Sequence, residues 1–222
     1  DTRYAHKIIY FESSRGCPFR CSYCLSSIDK KLRYKSLEKV FHELSFFIKH
    51  RVSQVKFVDR TFNCDKSRSM AIWTFLNEND NGITNFHFEI AADILSDEEV
   101  ELLVTFRPGL IQLEIGVQTT NTCTLKEINR AAEFTVISHR VRQIQRGKNI
   151  HQHLDLIAGL PYEDLESFHQ SFNDVFSIRP EQLQLGFLKV LKGSSMHDNA
   201  RKYGLNYSDY PPYEVRKTNW LS

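Results

Sequence analysis

The sequence predicts an α/β fold, a partial (β/α)6 TIM-like barrel of parallel strands, and three observations carry that reading. Short strand-like segments alternate strictly with longer helix-like ones, the strand segments read as near-continuous apolar runs, and six such units can be counted along the 222 residues. Parallel strands need a crossover between them, and the crossover helices then cover the sheet, so this alternation selects a parallel architecture. Six units fit a partial barrel better than a closed eight-stranded one.

Lys7-Ile8-Ile9-Tyr10-Phe11 is the first strand, and a cysteine-rich loop follows it. Ser36 then stands as an N-cap for a helix with Val40, Leu44, Phe47 and Ile48 on one face. Gln54 to Val58 is the second strand, followed by a helix from Lys66 to about Asn79 that spaces Met70, Trp73 and Leu76 helically. Asn85 to Ile90 alternates Phe86, Phe88 and Ile90 as the third strand, and Ser96-Asp97-Glu98-Glu99 forms a capping box that opens the next helix. Leu110 to Gly116 is the fourth strand; a polar, arginine-containing stretch and a helix from about Thr135 to Arg146 follow. His151 to Ile157 is the fifth strand, ended by Ala158-Gly159-Leu160-Pro161, and Phe168, Phe172 and Phe176 mark core positions of the helix after it. Leu183 to Val190 is the sixth strand.

Composition narrows the class. At 41% hydrophobic and 25% charged residues the chain is globular, and Lys+Arg 29 against Asp+Glu 27 gives no global field for nucleic acid or an anionic membrane. No run is long enough to span a bilayer and the start has no signal-peptide core, so the chain reads as soluble and cytoplasmic, with no membrane partner. It begins without Met and ends on Asn219-Trp220-Leu221-Ser222, which reads as one domain, 1–222, cut from a longer polypeptide.

Three of the five cysteines lie in Gly16-Cys17-Pro18-Phe19-Arg20-Cys21-Ser22-Tyr23-Cys24, directly after the first strand. That crowding suits a cytosolic metal site better than a disulfide framework. Structural zinc is ordinarily closed by four ligands, whereas a cubane cluster on three thiolates leaves one iron open. A zinc site completed by Cys64, or by a histidine such as His6 or His42, is the alternative. His139, His151, His153, His169 and His197 show no metal-ligand spacing.

The CxxxCxxC pattern, with Tyr23 just before its last cysteine, resembles the radical S-adenosylmethionine (SAM) superfamily. The resemblance implies a [4Fe-4S] cluster on Cys17, Cys21 and Cys24 whose free iron chelates SAM, and one-electron cleavage of SAM to a 5′-deoxyadenosyl radical. It implies that Tyr23 packs on the adenine. Val58-Asp59-Arg60-Thr61-Phe62 stands where the family contacts the methionine ammonium, without the usual glycines, so that Asp59 would supply a carboxylate or carbonyl; a strand-end Asp capping a turn fits as well. Glu89, in an otherwise apolar alternating run, should face a polar pocket or a cation. Gly116-Val117-Gln118 and Ile128-Asn129-Arg130 are similar to the coproporphyrinogen dehydrogenase branch, which gives Gln118 a hydrogen bond to SAM and Arg130 its carboxylate. Asp155-Leu156-Ile157-Ala158-Gly159-Leu160-Pro161 extends that similarity. It implies that Asp155 binds a ribose hydroxyl, that the Gly159 backbone approaches the adenine, and that Ile157 or Leu188 covers the ring. Lys189 and Lys192 read as solvated rather than as contacts to an anionic substrate.

The resemblance implies a small-molecule substrate and an electron donor such as flavodoxin or ferredoxin, with nucleic acid not expected. The oxygen-independent coproporphyrinogen oxidase branch is similar, but Ser26 stands where its additional cysteine belongs. Cobalamin-dependent methyl transfer, with cobalamin on a further domain, ranks first, ahead of a tetrapyrrole-related oxidation. A methylthiotransferase of RNA or protein and a non-catalytic zinc- or cluster-bearing binding scaffold are the alternatives.

Overall fold

The computed structural model describes residues 7–29 and 31–221. His6, named above as a zinc-ligand alternative, lies outside the described residues. In chain order, β1 is Ile8–Phe11, β2 Ser14–Arg15, β3 Arg33–Tyr34, α1 Leu37–Lys49, β4 Gln54–Phe57 and α2 Lys66–Glu78. Then come β5 Asn85–Ile90, α3 Asp97–Leu103, β6 Ile111–Gln118, α4 Thr122–Glu127, α5 Phe134–Gln145, β7 His151–Ala158, α6 Leu165–Ser177, β8 Gln182–Phe187, α7 Ser195–Asp198, β9 Asn206–Tyr207 and β10 Val215–Lys217. The six long strands form one sheet in the order β1-β4-β5-β6-β7-β8, every neighbouring pair parallel. β1 and β8 are the edges, so the barrel is open.

Local chemistry sets the element starts. Ser36 accepts from the Lys39 amide at the head of α1, and Asp65 accepts from Arg68 at the head of α2. Ser96 and Glu99 make both bonds of the capping box at α3. These caps satisfy amides that a helix end otherwise leaves unpaired.

The strands are not continuous apolar runs. They alternate with period two: Val55, Phe57, Phe86, Phe88, Leu113 and Ile115 are buried, while Lys56, Glu89, Gln112 and Glu114 between them are only partly so. The physical reason is one-sided cover. Helices bury one face of the sheet, and the other faces the open interior, where polar groups meet one another. Gln54 Nε2 donates to Asn85 Oδ1 at 2.9 Å and Lys56 Nζ to Glu114 Oε2 at 2.8 Å.

Under the helices, Trp73, Phe57, Phe62 and Phe88 form an aromatic knot, with Phe62 and Phe88 centroids 4.3 Å apart and Phe57 and Phe88 4.4 Å apart. Truncating a residue there would cost about 3–5 kcal/mol. Phe168 and Phe172 are only half-buried against this core, and Phe176 is 59% exposed, so the expectation that all three are core is corrected. Val175 and Ser171 hold the buried face of α6, and Phe176 falls about one helical step from Val175.

A second, smaller core gathers Ile128, Leu160, Leu188, Met196 and Tyr203, with Tyr23, Ile157 and Trp220 packed against it. It lies beside the cysteine loop and fixes that loop to the end of α4 and the start of α7.

Candidate active site at the mouth of the half-barrel

The cysteine loop is tied down on both flanks. The Cys17 amide donates to Asp29 O at 3.3 Å, the Ser22 amide to Ile128 O at 2.9 Å, and the Met196 amide to Ser22 O at 2.8 Å. Gly16 enters the loop at φ +97°, and a Cβ there would stand 2.5 Å from Lys31 O, so only glycine fits. The three thiols are thereby presented at the C-terminal ends of the strands, where barrels of this kind carry their chemistry.

Cys17, Cys21 and Cys24 line one cavity of about 210 Å³. Its other walls include Tyr23, Glu89, Gln118, Arg130 and Asp155, so eight of the ten residues singled out from the sequence converge there. Arg130 lies at its edge: Nη2 donates to Gly116 O, and Nη1 lies 3.8 Å from Cys21 Sγ. Gln118 has φ +72°, and the ladder between β6 and β7 shifts register at Gly116/Gln118. A bulge of this kind re-aims a side chain, and a left-handed backbone at a non-glycine residue is a strain held by its surroundings. It leaves Gln118 Oε1 buried and unpartnered, as is Arg130 Nε.

Electrostatics separate the acids. Burial, then the charges of Glu114 and Glu89, push the Asp155 carboxyl up to about 7. His87, whose Nε2 lies 3.1 Å from Glu114 Oε2, outweighs burial and, joined by Lys56, holds Glu114 down at about 2. Burial and the neighbouring Glu114 raise Glu89, with Arg60 opposing. Burial raises the Tyr23 phenol as well.

Three expectations are corrected. Asp59 does not face the cavity: it accepts from the Ser13 amide at 2.8 Å and from the Ser13 and Ser14 hydroxyls at 2.6 Å each. Its carboxylate is thus occupied in pinning the first strand's loop, and Arg60 and Thr61 form the cavity wall instead. Gly159, at φ +90°, turns the chain beside Leu188 and is not a wall. Ile157 and Leu188 belong to the small core rather than to the cavity.

Among the described residues, the zinc alternatives are not assembled. Cys64 is outside the cavity, 3.5 Å from the Tyr34 hydroxyl, and His42 is on the exposed face of α1. Lys189 and Lys192 are exposed, as read. Sequence reasoning missed Glu114 and Arg60 as cavity walls; the available signal was the spacing of Glu114, two residues before Gly116 and four before Gln118 on one strand face. It also missed that Glu114, His153 and Asp155 bring ligand-type atoms within 4.8 Å of one another.

Three thiols in one loop at the mouth of a parallel α/β half-barrel, facing charged walls, define a cofactor-dependent barrel enzyme. The chain belongs to the radical SAM superfamily, whose family model matches residues 11–175. It is 25% identical over 205 residues to the cobalamin-dependent radical SAM methyltransferase TokK of Streptomyces tokunonensis, covering 88% of this chain and 30% of that protein. Among solved structures it is similar to TsrM of Kitasatospora setae, a radical SAM methyltransferase with cobalamin and a [4Fe-4S] cluster bound. The TM-score is 0.78 at 14% identity, over 93% of this chain and 43% of that one. Coproporphyrinogen III oxidase HemN of Escherichia coli, a radical SAM enzyme, matches with TM-score 0.64 at 16% identity, over 96% of this chain and 49% of that one. At these identities the two structures speak for the fold. The chain spans less than half the length of each of these three relatives. Among the described residues, no helix is long and apolar enough to cross a membrane.

Proposed function

We propose that this chain is the catalytic core of a cobalamin-dependent radical SAM methyltransferase acting on a small molecule in a reducing, cytoplasmic setting. The observation that carries it is the convergence of Cys17, Cys21 and Cys24 with Gln118, Arg130 and Asp155 on one cavity. The residues fit the implied groups: three free thiols in one loop offer thiolate ligands, and the buried, unpartnered Gln118 Oε1 is an acceptor aimed at the same space. A [4Fe-4S] cluster bound there would supply the single electron for reductive cleavage of SAM.

The chain's own residues bind and orient. Cys17, Cys21 and Cys24 would hold the cluster. Arg130, fixed through Gly116 O, presents its planar fork to the SAM carboxylate, Gln118 and Glu89 hydrogen-bond the polar end, and Asp155 takes a ribose hydroxyl. Tyr23, packed between the thiol loop and the small core, covers the adenine and keeps water out. Cobalamin is carried by a further domain of the whole protein, and a flavodoxin or ferredoxin delivers the electron. The similarity to TokK supports methyl transfer ahead of tetrapyrrole oxidation.

The test is anaerobic reconstitution with iron and sulfide, then a search for 5′-deoxyadenosine formed from SAM and dithionite. Formation that disappears in Cys17→Ala, Cys21→Ala and Cys24→Ala is expected. A fully loaded cluster with no SAM cleavage, or stoichiometric tetrahedral zinc on the three thiols, would overturn the reading.

A further inference from the structure

Beneath the thiol loop, on the inner face of the sheet, three adjacent strands bring histidines and carboxylates together. Glu114 on β6 pairs in register with His153 on β7, and Glu89 on β5 pairs with Glu114, so these side chains share the polar face. Asp155 lies two residues beyond His153 and therefore on that face too. Ligand atoms of Glu114, His153 and Asp155 all lie within 4.8 Å of one another. His87 Nε2 joins them, 3.1 Å from Glu114 Oε2.

The second observation is independent of the clustering. His87 and His153 have side chains only 9% and 8% exposed, and the Nε2 atom of each is buried without a well-directed hydrogen bond. Asp155 Oδ1, 2.9 Å from His153 Nε2, is in the same condition. Buried polar atoms are nearly always partnered, because an unpaired one costs about 1–3 kcal/mol. Here His153 Nε2 faces Asp155 Oδ1 at 2.9 Å and His87 Nε2 faces Glu114 Oε2 at 3.1 Å, close but without the alignment of a hydrogen bond, and such crowded lone-pair donors are a ligand set.

We propose that His87, Glu114, His153 and Asp155 form a mononuclear site for a divalent transition-metal ion, separate from the thiol loop. Two imidazoles and two carboxylates suit Zn²⁺, Mn²⁺, Fe²⁺ or Co²⁺ rather than Mg²⁺ or Ca²⁺, which prefer all-oxygen shells. Lys56 Nζ, 2.8 Å from Glu114 Oε2, neutralises one carboxylate and competes with the ion for it. Asp155 links this site to the cavity above: Oδ1 is the buried oxygen facing His153, so the other oxygen is the one open to a cavity ligand. An ion here fixes the orientation of Asp155 and Glu114 at the cavity floor.

The probe is Co²⁺ added to the anaerobically reconstituted chain. One equivalent is expected, with weak visible d–d bands and no thiolate-to-cobalt charge-transfer band. His153→Gln and Glu114→Gln should weaken binding by more than the roughly 10–100-fold typical of losing an outer-sphere partner. His139→Gln, an exposed position on α5, should leave it unchanged. Lys56→Met should tighten it, and Co²⁺ should raise the melting temperature of that variant more than that of the parent. Sub-stoichiometric binding to the parent chain, binding that survives both ligand variants, or a thiolate charge-transfer band lost with the cysteines would overturn the site. Should the ligand variants misfold, the parent spectrum and the Lys56→Met comparison decide. Failure here leaves 5′-deoxyadenosine formation intact, whereas failure of the radical reading leaves the cobalt spectrum intact.

Discussion

Glu163, in the loop between β7 and α6, is fully buried. Thr119 Oγ1 donates to its Oε1, Ser171 Oγ lies 3.4 Å from the same oxygen, and Oε2 has no partner. Burial, opposed by the two hydroxyls, pushes the carboxyl up to about 7 from an ordinary 4.5. Between those values the folded chain keeps a proton that the unfolded chain has released. Stability therefore falls as pH rises through that window and is lowest above it. At about 1.4 kcal/mol for each pH unit, the whole window is worth roughly 3 kcal/mol. Glu163→Gln keeps the shape and the acceptor for Thr119 but has no charge to bury, and its amide nitrogen, lacking an acceptor, costs back about 1 kcal/mol. The variant should match the parent or fall slightly below it near about pH 5 and exceed it by about 2 kcal/mol near about pH 8. In a chain of this size that is a rise of roughly 4–8 °C in melting temperature. Urea and thermal unfolding across that pH range read it directly. Parallel pH profiles for the two proteins, or a variant that is the less stable at high pH, would refute the argument.

Gly16→Ala should destabilise the chain by about 1–3 kcal/mol and reduce cluster loading, because φ +97° and the Lys31 carbonyl both oppose a Cβ; denaturant titration and iron content measure it. Asp59→Ala leaves the Ser13 amide and two hydroxyls unpaired and should cost about 3 kcal/mol, whereas SAM affinity per folded molecule should hold. A selective loss of SAM binding would return Asp59 to the cavity wall. Arg130→Lys keeps the charge but loses the planar fork, and should weaken SAM binding by about tenfold or more while the cluster absorbance is retained. Equilibrium dialysis against SAM separates the two quantities.

Most of the sheet was legible because its signals are local. Ser36 and Ser96 are caps that a reader can find, and Trp73 and Phe88 sit on periodicities that a single segment displays. Helix α4 was read as a polar stretch, since six residues headed by an Asn121 cap carry too little apolar pattern to announce a helix. The site was legible at Cys17, Cys21, Cys24, Gln118 and Arg130, where motif and strand end coincide. It was not legible at Asp59, whose two serine partners lie 45 and 46 residues away in the chain. Nor was it legible at Glu114, which meets His87 and His153 only through the register of three neighbouring strands. Register across a parallel sheet is set by crossover geometry, and no single segment encodes it.

The interior of the half-barrel shows why the cavity lies where it does. Near the strand starts the polar groups of the inner face bond one another, as Gln54 does Asn85, and His151 Nε2 lies 3.3 Å from Gln182 Oε1. One step up, Lys56 meets Glu114, but the Nε2 atoms of His87 and His153 lie near carboxylates without a well-directed hydrogen bond. At the strand ends Gln118 Oε1 and Arg130 Nε are unpartnered, and Asp155 Oδ1 makes no well-directed hydrogen bond. Hydrogen-bonding capacity is thus met at the base and unmet toward the mouth. Folding alone would favour the opposite, since each buried unpaired group costs stability. A gradient of that kind persists where ligands complete the shell, and it rises along the strands toward the loop that carries the three thiols.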